Sequence, residues 1–350
     1  MTLEDLKIKQ LTNQYLVEPG DKMTVIRDLC GMQAQFMTNV MHSLRIRCND
    51  YNEATLKDHL VKNWTIRGTV HAFAEDDLPL FLHCADGKNY RRNEWTDCSW
   101  WNQRADWALT LERQAYLSSV ILEALEKAPR TREELRRICQ EAGMGEQEGN
   151  SMFDPWGGGI RELCERGFLN YVVQEKKMFC LSPAFTPMPE EEAGLEMARR
   201  YFTNMGPATI HDAMYFFHTT AAQVKKWIDR LPVADYQWEG KTYYAIDNGK
   251  QYNRDIPGCL FLAGFDQLML GYEKKESLYL DPGHMRDIFN LAGIVMPALM
   301  LDGKVVGRWK KKERKLRIQL FVPLSPGDRA AVKEKAEALW DDIASLEGLS

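Results

Sequence analysis

The stretch PRTREELRRICQEAG, residues 129–143, carries Thr131 and Glu134 at the spacing of a capping box, in which two side chains satisfy the free N–H groups at a helix start. Leu135, Ile138 and Cys139 then recur at helical spacing, which predicts one buried face. Upstream, LSSVILEAL (117–125) has the same periodicity. Downstream, past a Gly/Asn-rich loop, DPWGGGIRELCERG (154–167) starts well with Asp154 and Pro155 and stops at Gly167. Two short strand-like runs follow, FLNYVV (168–173) and KMFCLS (177–182), joined by QEKK. Three helices and then a hairpin make the order of a winged helix.

That order repeats. EEAGLEMARRYFTNMG (191–206) is a first helix, PATIHDAMYFFH (207–218) a second with Thr209 as its cap, and TTAAQVKKWIDRL (219–231) a third with Thr220 and Gln223 in capping register. VADYQW, a Glu239-Gly240 turn and KTYYAI supply the hairpin. A looser copy fits residues 1–75, where Arg67-Gly68 turns the hairpin. From about residue 254 the texture becomes strand-like, in GCLFLAG, IVMPALML, KVVGRWK and KLRIQLFV. A last helix over 330–346 places Val332, Ala336, Leu339, Ile343 and Leu346 on one face. The expectation is an α+β chain of tandem winged helices with a β-rich C-terminal domain closed by a helix. Its domains are 1–112 (a winged helix with a helical extension), 113–189, 190–253 and 254–350.

Composition narrows the function classes. The chain has 350 residues, 45% hydrophobic and 27% charged, with a net charge of −5, so it is globular and not a general coat for nucleic acid. Acidic residues stand where a signal peptide would be basic, and the apolar run LAGIVMPALML (291–301) is too short for a membrane span, which predicts a soluble cytoplasmic protein. Eight cysteines (30, 48, 84, 98, 139, 164, 180 and 259) show no C-x-x-C and read as buried free thiols. Seven dispersed histidines without H-E-x-x-H give no support for a metal, and no cofactor motif is present. The glycines 157–159 lack the G-K-[ST] of a phosphate loop.

Several segments could carry chemistry. GRWKKKERKLR (307–317) clusters Arg308, Lys310, Lys311 and Lys312 around Trp309, either as a contact to phosphates or as a solvated face. Thr65, Arg67, Thr69 and His71 alternate with Ile66, Gly68 and Val70, so a strand there would line up a polar row. Asp76 and Asp77, before Pro79, read as capping acids, with a catalytic role as the alternative. Within DLCGMQAQFMTNVMHSL (28–44), a helix-like apolar run, Gln33 and Gln35 flank one alanine. Buried amides need partners, so the pair either caps a helix and binds backbone or faces something polar.

The segments LCGMQAQ, WTIRGTVHAF, FDQLMLGY and DGKVVGRW together resemble the winged-helix DNA glycosylases of the AlkZ and YcaQ type, over nearly the whole chain. The resemblance implies excision of N-alkylated purines from double-stranded DNA, with unhooking of interstrand crosslinks in some members, by a monomer without metal or cofactor. It makes Gln33 and Gln35 the catalytic pair, in the two-glutamine form of the motif. It also implies DNA or substrate contacts from Arg67, Thr69, His71, Asp266, Tyr272, Arg308, Trp309 and Lys310–Lys312, with Trp309 as a wedge against bases. One departure stands out: Lys274 and Lys275 occupy the place after Tyr272 where an arginine is expected. The chemistry is consistent with neutral amides. A purine alkylated at N7 or N3 is already cationic and leaves without protonation, so a site needs only to position water and present dipoles to the oxocarbenium-like sugar. The alternative function is a non-catalytic winged-helix DNA-binding regulator, which predicts tight, sequence-selective binding to undamaged duplex.

Overall fold

A computed structural model of the protein describes every residue except 66, 83–105, 253–254 and 350, so Ile66, Cys84, Cys98 and much of the expected helical extension lie outside the described residues. The chain divides into two compact units. Unit 1 comprises Met1–Gln33, Thr38–Glu53 and Ala198–Ser350, and unit 2 comprises Ala34–Met37 and Ala54–Met197.

Unit 1 begins with α1 (Leu3–Asn13), capped by Thr2, whose hydroxyl accepts the Asp5 N–H while the Asp5 carboxylate accepts the Thr2 N–H. Its polar residues are buried along with its apolar ones. Lys7 Nζ donates to Gly303 O at 2.7 Å, Gln10 Nε2 to Pro207 O at 2.6 Å and Asn13 Nδ2 to Gly206 O at 2.7 Å. Each buried head group therefore satisfies a distant loop carbonyl. Next, α2 (Lys22–Asp28) is capped by Asp21, which accepts from Met23 and Thr24 N–H. Cys30 and Gly31 take left-handed φ values of 55° and 69°, and two such residues in succession stop the helix. The chain is extended at β1 (Met32–Gln33) before α3 (Met37–Arg45) begins. The helix-like apolar run 28–44 is thus two helices, α2 and α3, parted at the glutamines.

In unit 2, α4 (Glu53–Lys57) leads into β2 (Leu60–Trp64) and β3 (Val70–Ala74), an antiparallel hairpin with Asn63 opposite His71. Gly68, at φ 75°, closes its loop by donating to Thr65 O at 2.8 Å. Then come α5 (Leu78–Phe81), α6 (Leu111–Lys127), α7 (Arg132–Glu141), α8 (Glu146–Met152), α9 (Gly158–Glu165), β4 (Leu169–Tyr171) and β5 (Phe179–Leu181). The capping box of Thr131 and Glu134 is present. Two expectations are corrected. The supposed loop after α7 holds α8, started by Glu148 accepting the Gly145 N–H, and α9 starts at Gly158, because Asp154 and Pro155 form a turn before it. The unit's strands lie in the order β3-β2-β4-β5, all antiparallel. Asn63 joins the hairpin to the helical part, its amide donating to Cys164 O and Leu169 O at 3.0 Å and to Asn170 Oδ1 at 2.8 Å. Leu117, Ile121, Leu135, Cys139, Ile160 and Leu163 fill the core above it.

The chain returns to unit 1 at Ala198 within α10 (Glu190–Asn204). There α11 (Ile210–Phe217) and α12 (Ala221–Ile228) carry the expected caps, Thr209 and Thr220. The hairpin β6 (Ala234–Trp238) and β7 (Lys241–Ala245) turns at Glu239 and Gly240, both at positive φ, which suits the right-handed twist of its strands. Next are β8 (Cys259–Phe261), α13 (Gln267–Leu270), α14 (Met285–Ile288), β9 (Ala298–Leu301), β10 (Lys304–Lys312), β11 (Lys315–Leu320), α15 (Pro326–Leu339) and β12 (Ser345–Glu347). The sheet order is β12-β11-β10-β9-β8, with β12 parallel to β11. Val332, Ala336 and Leu339 of α15 pack on Phe261, Leu299, Trp309 and Leu316. The last helix therefore ends at Leu339 and not at Leu346, which is drawn into the sheet opposite Leu316. Among the described residues, Cys30, Cys48, Cys139 and Cys164 are buried free thiols, while Cys180 and Cys259 are partly buried. No helix among the described residues is long and apolar enough to cross a membrane.

Candidate active site

Gln33 ends the short strand β1 and Gln35 lies in a bend before α3, so neither stands on a helix. Gln33 is half-buried, Ala34 is fully buried and Gln35 is exposed, so the short residue between them goes into the core and both amides are left off it. Among the described residues, no hydrogen bond engages either side chain. Neither a helix-capping bond nor a backbone bond from the pair is present among the described residues.

In unit 1 the chain leading to Gln33 is held by the segment around α13. Gln267 Nε2 donates to Gly31 O. Next to it, Asp266 caps α13 by accepting the Leu268 N–H at 2.9 Å and forms a two-pronged ion pair with Arg47, Nη1 to Oδ2 at 2.9 Å and Nη2 to Oδ1 at 2.6 Å. Ser43, on α3, adds a hydroxyl donor at 3.2 Å. Burial raises the Asp266 pKa, but Arg47 and the donated hydrogen bonds outweigh it and hold the carboxyl below the usual range. Tyr272 is equally enclosed: its hydroxyl donates to Met205 O at 2.7 Å and accepts from Gln14 Nε2 at 2.8 Å. Asp266 and Tyr272 are thus corrected from DNA contacts to interior struts, because their polar atoms are sealed and already bonded within the unit.

In unit 2 the segment carrying Gln35 is fastened by the Ala34 N–H to Val70 O at 2.8 Å, one residue from His71. His71 is buried, with Nδ1 at 3.0 Å from both Thr69 O and Thr65 Oγ1. A carbonyl only accepts, so this arrangement assigns the proton to Nδ1 and leaves Nε2 the acceptor in the neutral ring. The polar row expected for Thr65, Arg67, Thr69 and His71 is not a strand face. Thr65 and Thr69 are joined by the Thr65 N–H to Thr69 O bond at 3.2 Å, outside the strands, and Arg67 is buried where a phosphate ligand was expected. Trp64 packs against the core, its ring covered by the Arg161 guanidinium at 3.8 Å. Asp76 and Asp77 lie in the short turn that leads into α5, with buried Asp77 at the α5 N-cap position, where its side chain makes no cap hydrogen bond.

The strand pair β10–β11 sorts the basic cluster by face. Lys310 lies opposite Arg317, Lys312 opposite Lys315, and Arg308 opposite Gln319, so five cationic side chains share one face, with Arg317 paired to Glu347 at 3.1 Å and Arg308 donating to Gln319 Oε1 at 2.8 Å and to Asp287 O at 3.1 Å. Like charges directly opposed in a sheet are destabilising, as for Lys312 and Lys315 here. Trp309 points the other way. It is buried against Phe261, His42 and Trp340 and donates Nε1 to Leu262 O at 2.9 Å, which corrects its expected role as a wedge. Lys311 shares that inner side and is tied to Asp342 at 2.8 Å. Lys315 and Arg317, missed in the sequence as site residues, belong to the cationic face by strand alternation.

The AlkZ-like DNA glycosylase family matches residues 26–341. The chain belongs to that family. The interstrand DNA cross-link repair glycosylase of Streptomyces sahachiroi is 27% identical over 353 residues, covering 93% of this chain and 91% of the relative. The solved structure of Streptomyces sahachiroi DNA glycosylase AlkZ matches the fold with a TM-score of 0.76, spanning 100% of this chain and 98% of that one at 21% identity. For an AlkZ-like glycosylase, FDQLMLGY has a physical meaning in unit 1. Its Asp266 and Gln267 hold the chain on α3 and ahead of Gln33, and neither faces solvent.

Proposed function

We propose that this AlkZ-like enzyme is a monofunctional DNA N-glycosylase for purines made cationic by alkylation at N7 or N3, leaving an abasic site. The observation that carries the reading is the pair of amides at Gln33 and Gln35, unengaged among the described residues and set on either side of a fully buried alanine in the connection between α2 and α3. A cationic purine departs as a neutral base, so no general acid is called for and no step needs a metal or cofactor. An amide oxygen accepts a hydrogen bond from the attacking water and turns its negative dipole end toward the sugar. Preorganised dipoles of this kind are worth about 3–4 kcal/mol each in comparable sites. Purines bridged through N7 in an interstrand crosslink carry the same charge, and the Streptomyces sahachiroi relative is named as an interstrand DNA cross-link repair glycosylase. We extend that substrate class to this chain.

The proposed scaffold is tandem winged helices over 113–189 and 190–253, a looser copy within 1–112, and the β-rich domain 254–350, acting as a cytoplasmic monomer on double-stranded DNA. Arg308, Lys310 and Lys312, with Lys315 and Arg317, bind phosphates in this scheme, and Thr69 and His71 flank the segment that bears Gln35. The test is base release from duplexes containing N7-methylguanine, uracil or an N7-linked crosslink, read as strand scission after alkali. Scission at the two cationic substrates and none at uracil is expected. Release of the neutral base at a comparable rate would refute the charge argument.

A further inference from the structure

We propose that Gln267 is a positioning residue for the catalytic pair, fixing the path of the chain into Gln33 through its grip on Gly31. This rests on the functional reading above.

The chain reaches Gln33 through two consecutive left-handed residues, Cys30 and Gly31. Cys30 has a side chain, and a left-handed backbone is unfavourable for such a residue, so the kink persists only where its surroundings hold it. Gln267 is that hold. It is 1% exposed, and its Nε2 donates to Gly31 O, two residues before Gln33. Its Oε1 is buried with no donor among the described residues. A buried glutamine with an unused acceptor is a poor choice for stability, since a leucine or methionine would fill the space without that cost. What the amide adds is the N–H given to Gly31. Arg200 adds a second grip on the same turn, its guanidinium donating to Arg27 O at 3.2 Å.

The neighbouring residue completes the device. Asp266 is anchored to Arg47 and Ser43, beyond the far side of the glutamine motif in sequence, while Gln267 is anchored ahead of it. Gly264 lies against Asn39 of α3 so closely that a Cβ there would sit 2.8 Å from its amide. The segment 264–267 is thus a backing plate, and Gln267 acts through Gly31 without itself being catalytic.

Glutamate at this position separates positioning from filling. It has the shape of glutamine but, when ionised, no hydrogen to donate; protonated, it donates through its O–H. Full-length wild type, Gln267→Glu and Gln267→Met are compared in single-turnover release of N7-methylguanine from a duplex between about pH 5 and 8.5. At about pH 8 both variants are expected to be slower by about tenfold or more in the chemical step, with duplex affinity within about twofold of wild type. As pH falls, the rate of Gln267→Glu relative to wild type climbs, because burial favours the protonated acid, while that of Gln267→Met stays flat. Two flat profiles, or a wild-type rate in either variant at high pH, overturn the proposal. If Gln267→Glu does not fold, Gln267→Met decides alone, and a loss in affinity with an unchanged chemical step is the overturning result. A wild type that releases no base refutes the functional reading and the proposal with it, an outcome distinct from variants that track an active wild type.

Discussion

Replacing Lys310 and Lys312 together by glutamine should weaken DNA binding while leaving the protein at least as stable, a pair of opposite signs that few surface substitutions produce. The two lysines face Arg317 and Lys315 directly across β10–β11. Removing Lys312 relieves its repulsion with Lys315, about 0.2–1 kcal/mol, and removing Lys310 relieves less, because Arg317 is also paired with Glu347. On the binding side, five cations each neutralising one phosphate give a slope of log K against log salt of about −4.5, and three give about −2.7. Raising salt from about 50 to 200 mM would then weaken wild-type binding roughly 500-fold and the variant roughly 40-fold. Fluorescence anisotropy on an undamaged duplex across a salt series reads the slopes, and thermal unfolding at low salt reads stability. An unchanged slope, or a variant that melts well below wild type, would show that this face serves the fold and does not meet phosphates.

The buried pair of Arg47 and Asp266 tests the support of the motif: Asp266→Ala leaves a guanidinium buried without its carboxylate and should cost about 3–5 kcal/mol in urea unfolding, whereas Arg47→Met with Asp266→Leu should recover much of that loss. Additive losses in the double variant would contradict the coupling. His42 predicts an acid sensitivity. Burial is the main cause that pulls its pKa down to about 4, while its Nε2 donates to Phe261 O at 2.7 Å. The unfolded chain then binds the extra proton between about pH 6.5 and 4, so stability falls as pH drops through that window, by at most about 3 kcal/mol. His42→Gln should flatten this part of the stability curve, and an unaltered curve would place the acid sensitivity elsewhere.

The helices and hairpins were legible wherever caps announced them. Thr131 with Glu134, Thr209 with Asp212 and Thr220 mark true starts, and Glu239-Gly240 marks a true turn. The helix α8 was hidden because EQEGNSM has little apolar periodicity of its own and is defined by what it packs against. Overrunning α15 came from Ile343 and Leu346, which keep helical spacing while the chain has already turned back to pair with β11. At the site, the residue types Gln-Ala-Gln were visible but their backbone was not, because the kink before them is held by Gln267, 236 residues away in sequence. Buried and exposed ions also look alike in a sequence. Asp266 and Tyr272 are spent on bonds inside unit 1, to Arg47 and to Met205 and Gln14. Trp309 was decipherable in principle: strict strand alternation separates it from Arg308 and Lys310 and sends it to the core.

The measurement that bears most directly on the amide mechanism is the single-turnover rate of N7-methylguanine release by wild type, Gln33→Ala and Gln35→Ala, with enzyme in excess so that binding is saturated. Each substitution is expected to slow release by roughly 100- to 1,000-fold, with undiminished affinity for the duplex, and the double variant to lose less than the product of the two. Equal rates from all three proteins would contradict the account.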